Sequence, residues 1–304
     1  MQASPRIFDR AALRRRRERA AASGAPADFL LAAVAEDIAE RLTAINRSFP
    51  LALDLGSQTG LLADAVLATG KVGAIVRMDS SPALLVRQGG LRVAADEEAL
   101  PFGEAVFDLI VSALGLHFVN DLPGTLVQAR RALKPDGLFL GAMLGYGTLQ
   151  ELKDAFTVAE TELTGGVSPR VAPFAEVRDA GGLLQRAGLA LPVTDQDALT
   201  VRYPNALALM ADLRAMGATN IMVERSRQPL RRAVLLRAAE IYQARFADPD
   251  GRVRATFQVI SLSGWAPHES QQKPLAPGSA RMRLADALAE ARSVGAKPEA
   301  NGEA

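Results

Sequence analysis

The stretch Leu51-Ala52-Leu53-Asp54-Leu55-Gly56-Ser57-Gln58-Thr59-Gly60 decides the fold. A short apolar run ends in a carboxylate, and a loop carrying two glycines leads into residues 61–68, whose apolar spacing is helical. This is a strand, a tight loop and a helix. Outward from it the pattern repeats. Residues 72–78 form a second apolar run ending at Asp79, and residues 91–95 a third ending at Asp96 and Glu97. Residues 107–113 (FDLIVSA) read as a buried central strand, because they are apolar after the first two positions and bounded by loop signals. A helix over 123–133 follows, with Pro123 suited to its first turn. Lys134-Pro135-Asp136-Gly137 reads as a turn that feeds a strand at 138–144. Upstream, Leu30, Val34, Ile38, Leu42 and Ile45 mark one face of a helix over 29–45. Strands alternating with helices at this spacing predict an α/β protein with a parallel, doubly wound sheet covered by helices on both faces.

The second half is less regular. Helices are expected over 175–187, 205–216 and 230–246, and strands over 198–203 and 253–263. Apolar periodicity stops near Pro267, and residues 286–304 are expected to be a disordered tail. Among 304 residues, 35 Lys and Arg nearly balance 34 Asp and Glu, so no global field points to nucleic acid or a membrane surface. The absence of cysteine excludes disulfides, thiolate zinc sites and a cysteine nucleophile. No apolar stretch is long enough to span a bilayer. Arg10, Arg14 to Arg17 and Arg19 among alanines have the look of a mitochondrial transit peptide, but a basic solvated helix that could dock an acidic partner is the simpler reading.

In an open α/β sheet, ligands bind beyond the carboxyl ends of the strands, where the three acidic ends converge. Gly56 and Gly60 let the backbone approach a ligand closely. A dinucleotide dehydrogenase is excluded by the loop itself. Position 58 is Gln, so the G-x-G-x-x-G spacing is missing, and Asp54 would repel a pyrophosphate while suiting the ammonium group of a methionine moiety. Asp79 is placed to accept hydrogen bonds from both hydroxyls of a ribose, and Asp96 with Glu97 to read the exocyclic amine of adenine. With Ser112 in the fourth strand, these residues make up a candidate site for S-adenosyl-L-methionine.

The segments ALDLG, AADEEALPF, FDLIVSALGLHFVNDLPG and LKPDGLFLGAML resemble the class I methyltransferases. From Ile7-Phe8-Asp9-Arg10 to about Leu284, through RYPNALALMADLRAMGATN and ATFQVISLSGWAPHES, the chain resembles the assembly factor 5 family of respiratory complex I and its bacterial relatives. The resemblance implies a Rossmann-like, seven-stranded, mostly parallel sheet with its last strand antiparallel. It also implies an S-adenosyl-L-methionine pocket and action on a complex I subunit, where the mitochondrial member hydroxylates an arginine. The expected organisation is an N-terminal helical segment (1–45) capping the pocket, a cofactor-binding core (46–145) and a C-terminal half (146–285) that completes the sheet and carries substrate-side helices. Where the family has Cys-Gly, this chain has Ser57-Gln58, and a side chain at 58 is expected to crowd the methionine tail.

Methyl transfer from a sulfonium needs in-line positioning and water exclusion more than an acid/base set. His117, just past the fourth strand, is the candidate general base, with a pocket-wall histidine as the simpler reading. Tyr203, Asn205, Met216, Asn220 and Trp265 are candidates for the substrate side. Iron-based hydroxylation wants two histidines and a carboxylate, and the only histidines, His117 and His268, are expected at opposite ends of the sheet, so no built-in metal site is expected. Three readings stay open: a methyltransferase, an S-adenosyl-L-methionine-dependent arginine hydroxylase, and a non-enzymatic assembly chaperone. Because the resemblance starts at Ile7, a bacterial cytoplasmic protein is expected, ahead of a mitochondrial matrix one.

Overall fold

A computed structural model describes residues 6–23 and 27–272. The expected tail at 286–304 lies outside them. Residues up to His268 belong to one compact unit, and Glu269 begins a second. In chain order the elements are α1 (Arg10–Ala22), α2 (Phe29–Thr43), β1 (Phe49–Leu55), α3 (Leu61–Ala68), β2 (Val72–Asp79), α4 (Pro82–Leu85), β3 (Leu91–Ala94), β4 (Phe107–Ala113), α5 (Leu122–Ala132), β5 (Leu133–Leu144), α6 (Gln150–Thr164), α7 (Val177–Arg186), β6 (Ala190–Tyr203), α8 (Ala206–Ala215), α9 (Arg232–Phe246) and β7 (Val253–Trp265). The strands form one sheet in the order β3-β2-β1-β4-β5-β7-β6. Only β7 runs against the others.

The central strands are apolar throughout because both faces of the sheet are covered. Leu109, Val111 and Ala113 of β4 pack with α2, α3, α6, α8 and α9 on one face. Ile110, with Leu53 and Leu55 of β1, packs against α5 and α7 on the other. The order of strands reverses between β1 and β4, so a crevice opens above their carboxyl ends, where such sheets bind ligands.

Helix α1 lies outside this sandwich and is held by its own contacts. Asn120 Oδ1 accepts the N–H groups of Ile7 and Phe8 at 2.9 and 2.8 Å, and Asp9 caps the helix by accepting from Ala12 N–H at 2.9 Å while pairing with Arg225 at 2.9 Å. Phe8, Ala12 and Leu13 bury themselves against Phe118, Ile221 and Met222. Each large side chain in that small cluster contributes about 1.5–3 kcal/mol of transfer free energy. The helix is therefore not the solvated basic segment expected from its composition, since Arg17 is buried within it.

Four other local expectations change. Lys134-Pro135-Asp136-Gly137 is a bulge inside β5 and not a turn before it. Asp136 takes φ +61°, and the β4 partner jumps from Phe107↔Leu133 to Leu109↔Leu138. Strand β6 begins at Ala190, well before residue 198, because an edge strand can carry Thr194, Asp195, Gln196 and Asp197 toward solvent. Helix α6 was not expected, since its buried face uses small residues, Ala155 and Ala159, beside Leu152 and Phe156. Trp265 pairs with Leu138, just after the β5 bulge, under Arg47, and so stands toward the amino edge of the sheet, away from the substrate side. Among the described residues no helix is long and apolar enough to cross a membrane.

Candidate cofactor and substrate site

The loop after β1 is held by main-chain donors. Gly56 and Ser57 both donate to Met78 O of β2, at 2.9 and 2.8 Å. Gly56 has φ +79°, and a Cβ there would stand 3.4 Å from Glu97 Oε1, so the glycine keeps open the space where the third strand's acid arrives. Gly60, at φ +89°, faces elsewhere. Its open side is filled by Arg77 Nη1 and Gln88 Oε1, which makes it a packing glycine of the loop's far end.

Asp54 is fully buried, and neither carboxylate oxygen has a hydrogen-bond partner. Ser57 Oγ and the Ala63 N–H lie close enough to favour its ionised form, but Ser57 donates its proton to Gln88 Oε1 at 2.8 Å. Burial dominates and pushes the carboxyl up to about 7. Asp79 accepts from Gln58 N–H at 3.0 Å and from Ser81 N–H at 2.8 Å, so it ties the loop to the start of α4. Glu97 is buried and pairs with Arg10, which also meets Asp96 at 2.9 Å. Burial raises the Glu97 carboxyl, with Arg10 opposing. Asp96 is 49 % exposed and caps the following turn by accepting from Glu98 N–H. Ser112 Oγ donates to Leu55 O at 2.7 Å and locks β4 to β1.

Gln58 takes φ +50°, an uncommon conformation for a residue with a side chain. Its amide donates to Ala113 O at 2.7 Å, at the end of β4, and Gln88 Nε2 donates to Gln58 O at 2.9 Å. The side chain thus occupies a carbonyl that an ammonium group entering the crevice could use. Gln58→Gly should remove that competitor and the backbone strain together, raising affinity for S-adenosyl-L-methionine several-fold in calorimetry. A weaker complex would show instead that the amide itself contacts the cofactor.

Beyond Gln58 a cavity of about 300 Å³ runs under α2, α6 and the segment after α8. Its wall is mainly apolar, with Leu114, Leu149, Phe156 and Phe174, and its charged members are Arg17, Asp28, Arg170 and Arg214. Arg170 is committed to Glu160. Of the sequence candidates, Met216, Asn220 and His117 line this cavity. The Asn220 amide is used structurally, donating to Pro169 O and accepting from Met222 N–H. Tyr203 and Asn205 do not line the cavity. Tyr203 is buried at the end of β6, and Asn205 caps α8 by accepting from Ala208 N–H at 3.0 Å. His117 Nδ1 accepts the Leu144 N–H at 3.3 Å, which leaves the ring hydrogen on Nε2. Burial, helped by the Arg17 charge, lowers its pKa to about 3. So weakly basic a ring collects protons poorly, and its Nε2–H is suited to donate a hydrogen bond, in keeping with the pocket-wall reading of this histidine.

Sequence reading missed Arg17, Asp28 and Gln88. For Arg17 a signal existed: Arg10, Leu13 and Arg17 fall three and four residues apart, on one helical face. Asp28 stands at the N-cap of α2 without making the capping bond. Among the described residues no group of three or more His, Cys, Asp and Glu could hold a metal ion.

The sheet order, the antiparallel β7 and acids at successive strand ends define a class I methyltransferase-fold protein. Residues 53–141 match the methyltransferase domain family. A candidate methyltransferase of Bacillus halodurans C-125 superposes with a TM-score of 0.52 at 18% identity, covering 77% of this chain and 99% of that one. The likeness in sequence goes further. The rat protein arginine-hydroxylase NDUFAF5, mitochondrial, is 42% identical over 293 residues, 93% of this chain and 85% of that protein. A malonyl-[acyl-carrier protein] O-methyltransferase of Halorhodospira halophila is 33% identical over 82% of this chain and 85% of its own length. The chain belongs to the NDUFAF5 family. The residues present fit S-adenosyl-L-methionine: an unpartnered buried carboxylate, Asp54, lies near the end of the strand below the glycine loop, and Asp79 and Glu97 stand at the neighbouring strand ends.

Proposed function

We propose that this chain is an S-adenosyl-L-methionine-dependent enzyme that modifies an arginine of a respiratory complex I subunit during assembly, by hydroxylation, with dioxygen as the oxygen source and an external two-electron reductant carrying its second oxygen atom to water. The observation that carries this reading is the 42% identity to the arginine hydroxylases across 93% of the chain. That span includes the C-terminal half, whose Phe156, Phe174 and Met216 wall the cavity. When bound, the cofactor supplies an electrophilic sulfonium centre. Asp79 holds the ribose hydroxyls, Glu97 with Asp96 meets the adenine amine, and Asp54 attracts the cationic methionine end through its field, without contact. The apolar walls exclude water, and His117 Nε2–H offers a hydrogen bond to a substrate acceptor. Helices α1 and α2 cap this pocket, and a bacterial cytoplasmic location goes with the reading.

Methyl transfer is the second reading, favoured by the 33% identity to a carrier-protein O-methyltransferase over most of the chain. Mass spectrometry of complex I subunits from a deletion strain and its parent separates the two. The hydroxylase reading expects one subunit peptide heavier by one oxygen atom on arginine in the parent only. A gain of one methylene would establish the transferase, and identical subunit spectra would overturn both in favour of a non-enzymatic assembly role.

A further inference from the structure

Arg17 is 8 % exposed, and among the described residues its guanidinium makes no hydrogen bond. It lies over the Phe118 ring, 5.8 Å from the centroid, with Asp79 and Glu97 near enough to favour its charge. It also lines the cavity beside Gln58 and His117. A buried cation whose donors are all free is costly, so its position needs a cause. The backbone supplies one. Gly217, at φ +70°, lies so close that a Cβ there would stand 2.9 Å from Arg17 Cα, and Leu13 and the Arg10 pair with Glu97 fix the helix one and two turns earlier. The guanidinium is thus held in place with its planar set of donors facing the site.

The ligand group that fits must be anionic, small, and located between the acids that meet adenosine and the cavity where reaction occurs. S-adenosyl-L-methionine carries one anionic group, its α-carboxylate, and a guanidinium matches a carboxylate with two parallel hydrogen bonds. We infer that Arg17 receives the methionyl carboxylate of the cofactor, which makes helix α1 part of the cofactor site. The inference rests on the cofactor reading above. Asp54 and Arg17 then take opposite ends of one zwitterion, the first by its field and the second by contact.

Calorimetry with S-adenosyl-L-methionine and its decarboxylated analogue, on the wild type, Arg17→Gln and Arg17→Lys, tests it. The wild type should prefer the intact cofactor by roughly ten- to hundredfold. Arg17→Gln should lose that preference while binding the decarboxylated analogue as the wild type does, and Arg17→Lys should keep part of it. The wild-type comparison involves no substitution, so it stands even if a variant folds poorly. A wild type that binds both ligands equally overturns the inference, as does an Arg17→Gln variant that binds the intact cofactor as tightly or more tightly. A wild type that binds neither ligand overturns the cofactor reading itself.

Discussion

Asp79→Ala should weaken S-adenosyl-L-methionine binding by roughly ten- to hundredfold, as expected for removing hydrogen bonds to an ionised acceptor. The residue has two tasks at once. One oxygen accepts from Gln58 N–H and the other from Ser81 N–H, so the carboxylate fixes both the cofactor loop and the entry to α4. Under the proposed cofactor reading, its remaining lone pairs accept from the ribose hydroxyls. Loss of the loop contacts and loss of the ribose contacts can be told apart. A 2′-deoxy cofactor analogue removes a ribose contact without touching the loop, and the wild type should bind it more weakly than the parent compound. Asp79→Ala should show little difference between the two ligands. Equal binding of both by the wild type would mean that Asp79 only braces the loop. Thermal melting of the unliganded variant measures the bracing itself, and a fall corresponding to about 1–3 kcal/mol is expected for two main-chain donors left without their acceptor.

What could be read from the sequence follows from how locally each feature is determined. β1, β2 and β4 were legible because a strand covered on both faces must be apolar along its length, and in β1 and β2 an acid at the carboxyl end breaks that run visibly. Helix α3 was placed at residues 61–68 as observed, because the loop glycines define its start. β6 was half legible, since an edge strand has only one neighbour and its polar first half carries no periodic signal. α6 escaped because alanines give little hydrophobic contrast. The acids of the site were visible as strand ends, but their present partners were not. Arg10 and Arg17 come from a helix whose docking depends on Asn120, Gly217 and Arg225, which lie more than a hundred residues away in sequence. Composition shows six arginines from Arg10 to Arg19, and only the fold distinguishes the buried Arg17 from the half-buried Arg10 and Arg16 and the exposed Arg14, Arg15 and Arg19.

Asp54→Asn should make the unliganded protein more stable and its cofactor complex weaker, with both effects set by pH. The carboxyl moves from its ordinary value of 3.8 to about 7 in the folded protein because it is fully buried without a hydrogen bond. A raised folded value means that stability is fully present below the unfolded value near 3.8 and is lost as pH rises through 7. Above pH 7 the cost is on the order of 4 kcal/mol. The amide variant, nearly the same in shape, should therefore match the wild type near pH 4 and exceed it by up to that amount at pH 8, in denaturant unfolding. His117 acts in the opposite sense. Its folded value, lowered to about 3, takes stability away as pH falls below about 6.5, so the wild-type profile across the acid range is a sum of two opposed slopes. Asp54→Asn removes one of them and should leave a profile that rises with pH. Cofactor binding reverses the advantage. A sulfonium and an ammonium favour the ionised carboxylate, so wild-type affinity should rise with pH up to about 7, whereas the amide variant should show a flat profile and at least about a tenfold weaker complex at pH 8. If the variant is less stable at pH 8, Asp54 is satisfied by a group in the folded protein, and if it binds the cofactor as tightly as the wild type there, the carboxylate exerts no useful field. A stability gain with an affinity loss would show that the chain keeps an unfavourable buried charge for the sake of its cofactor.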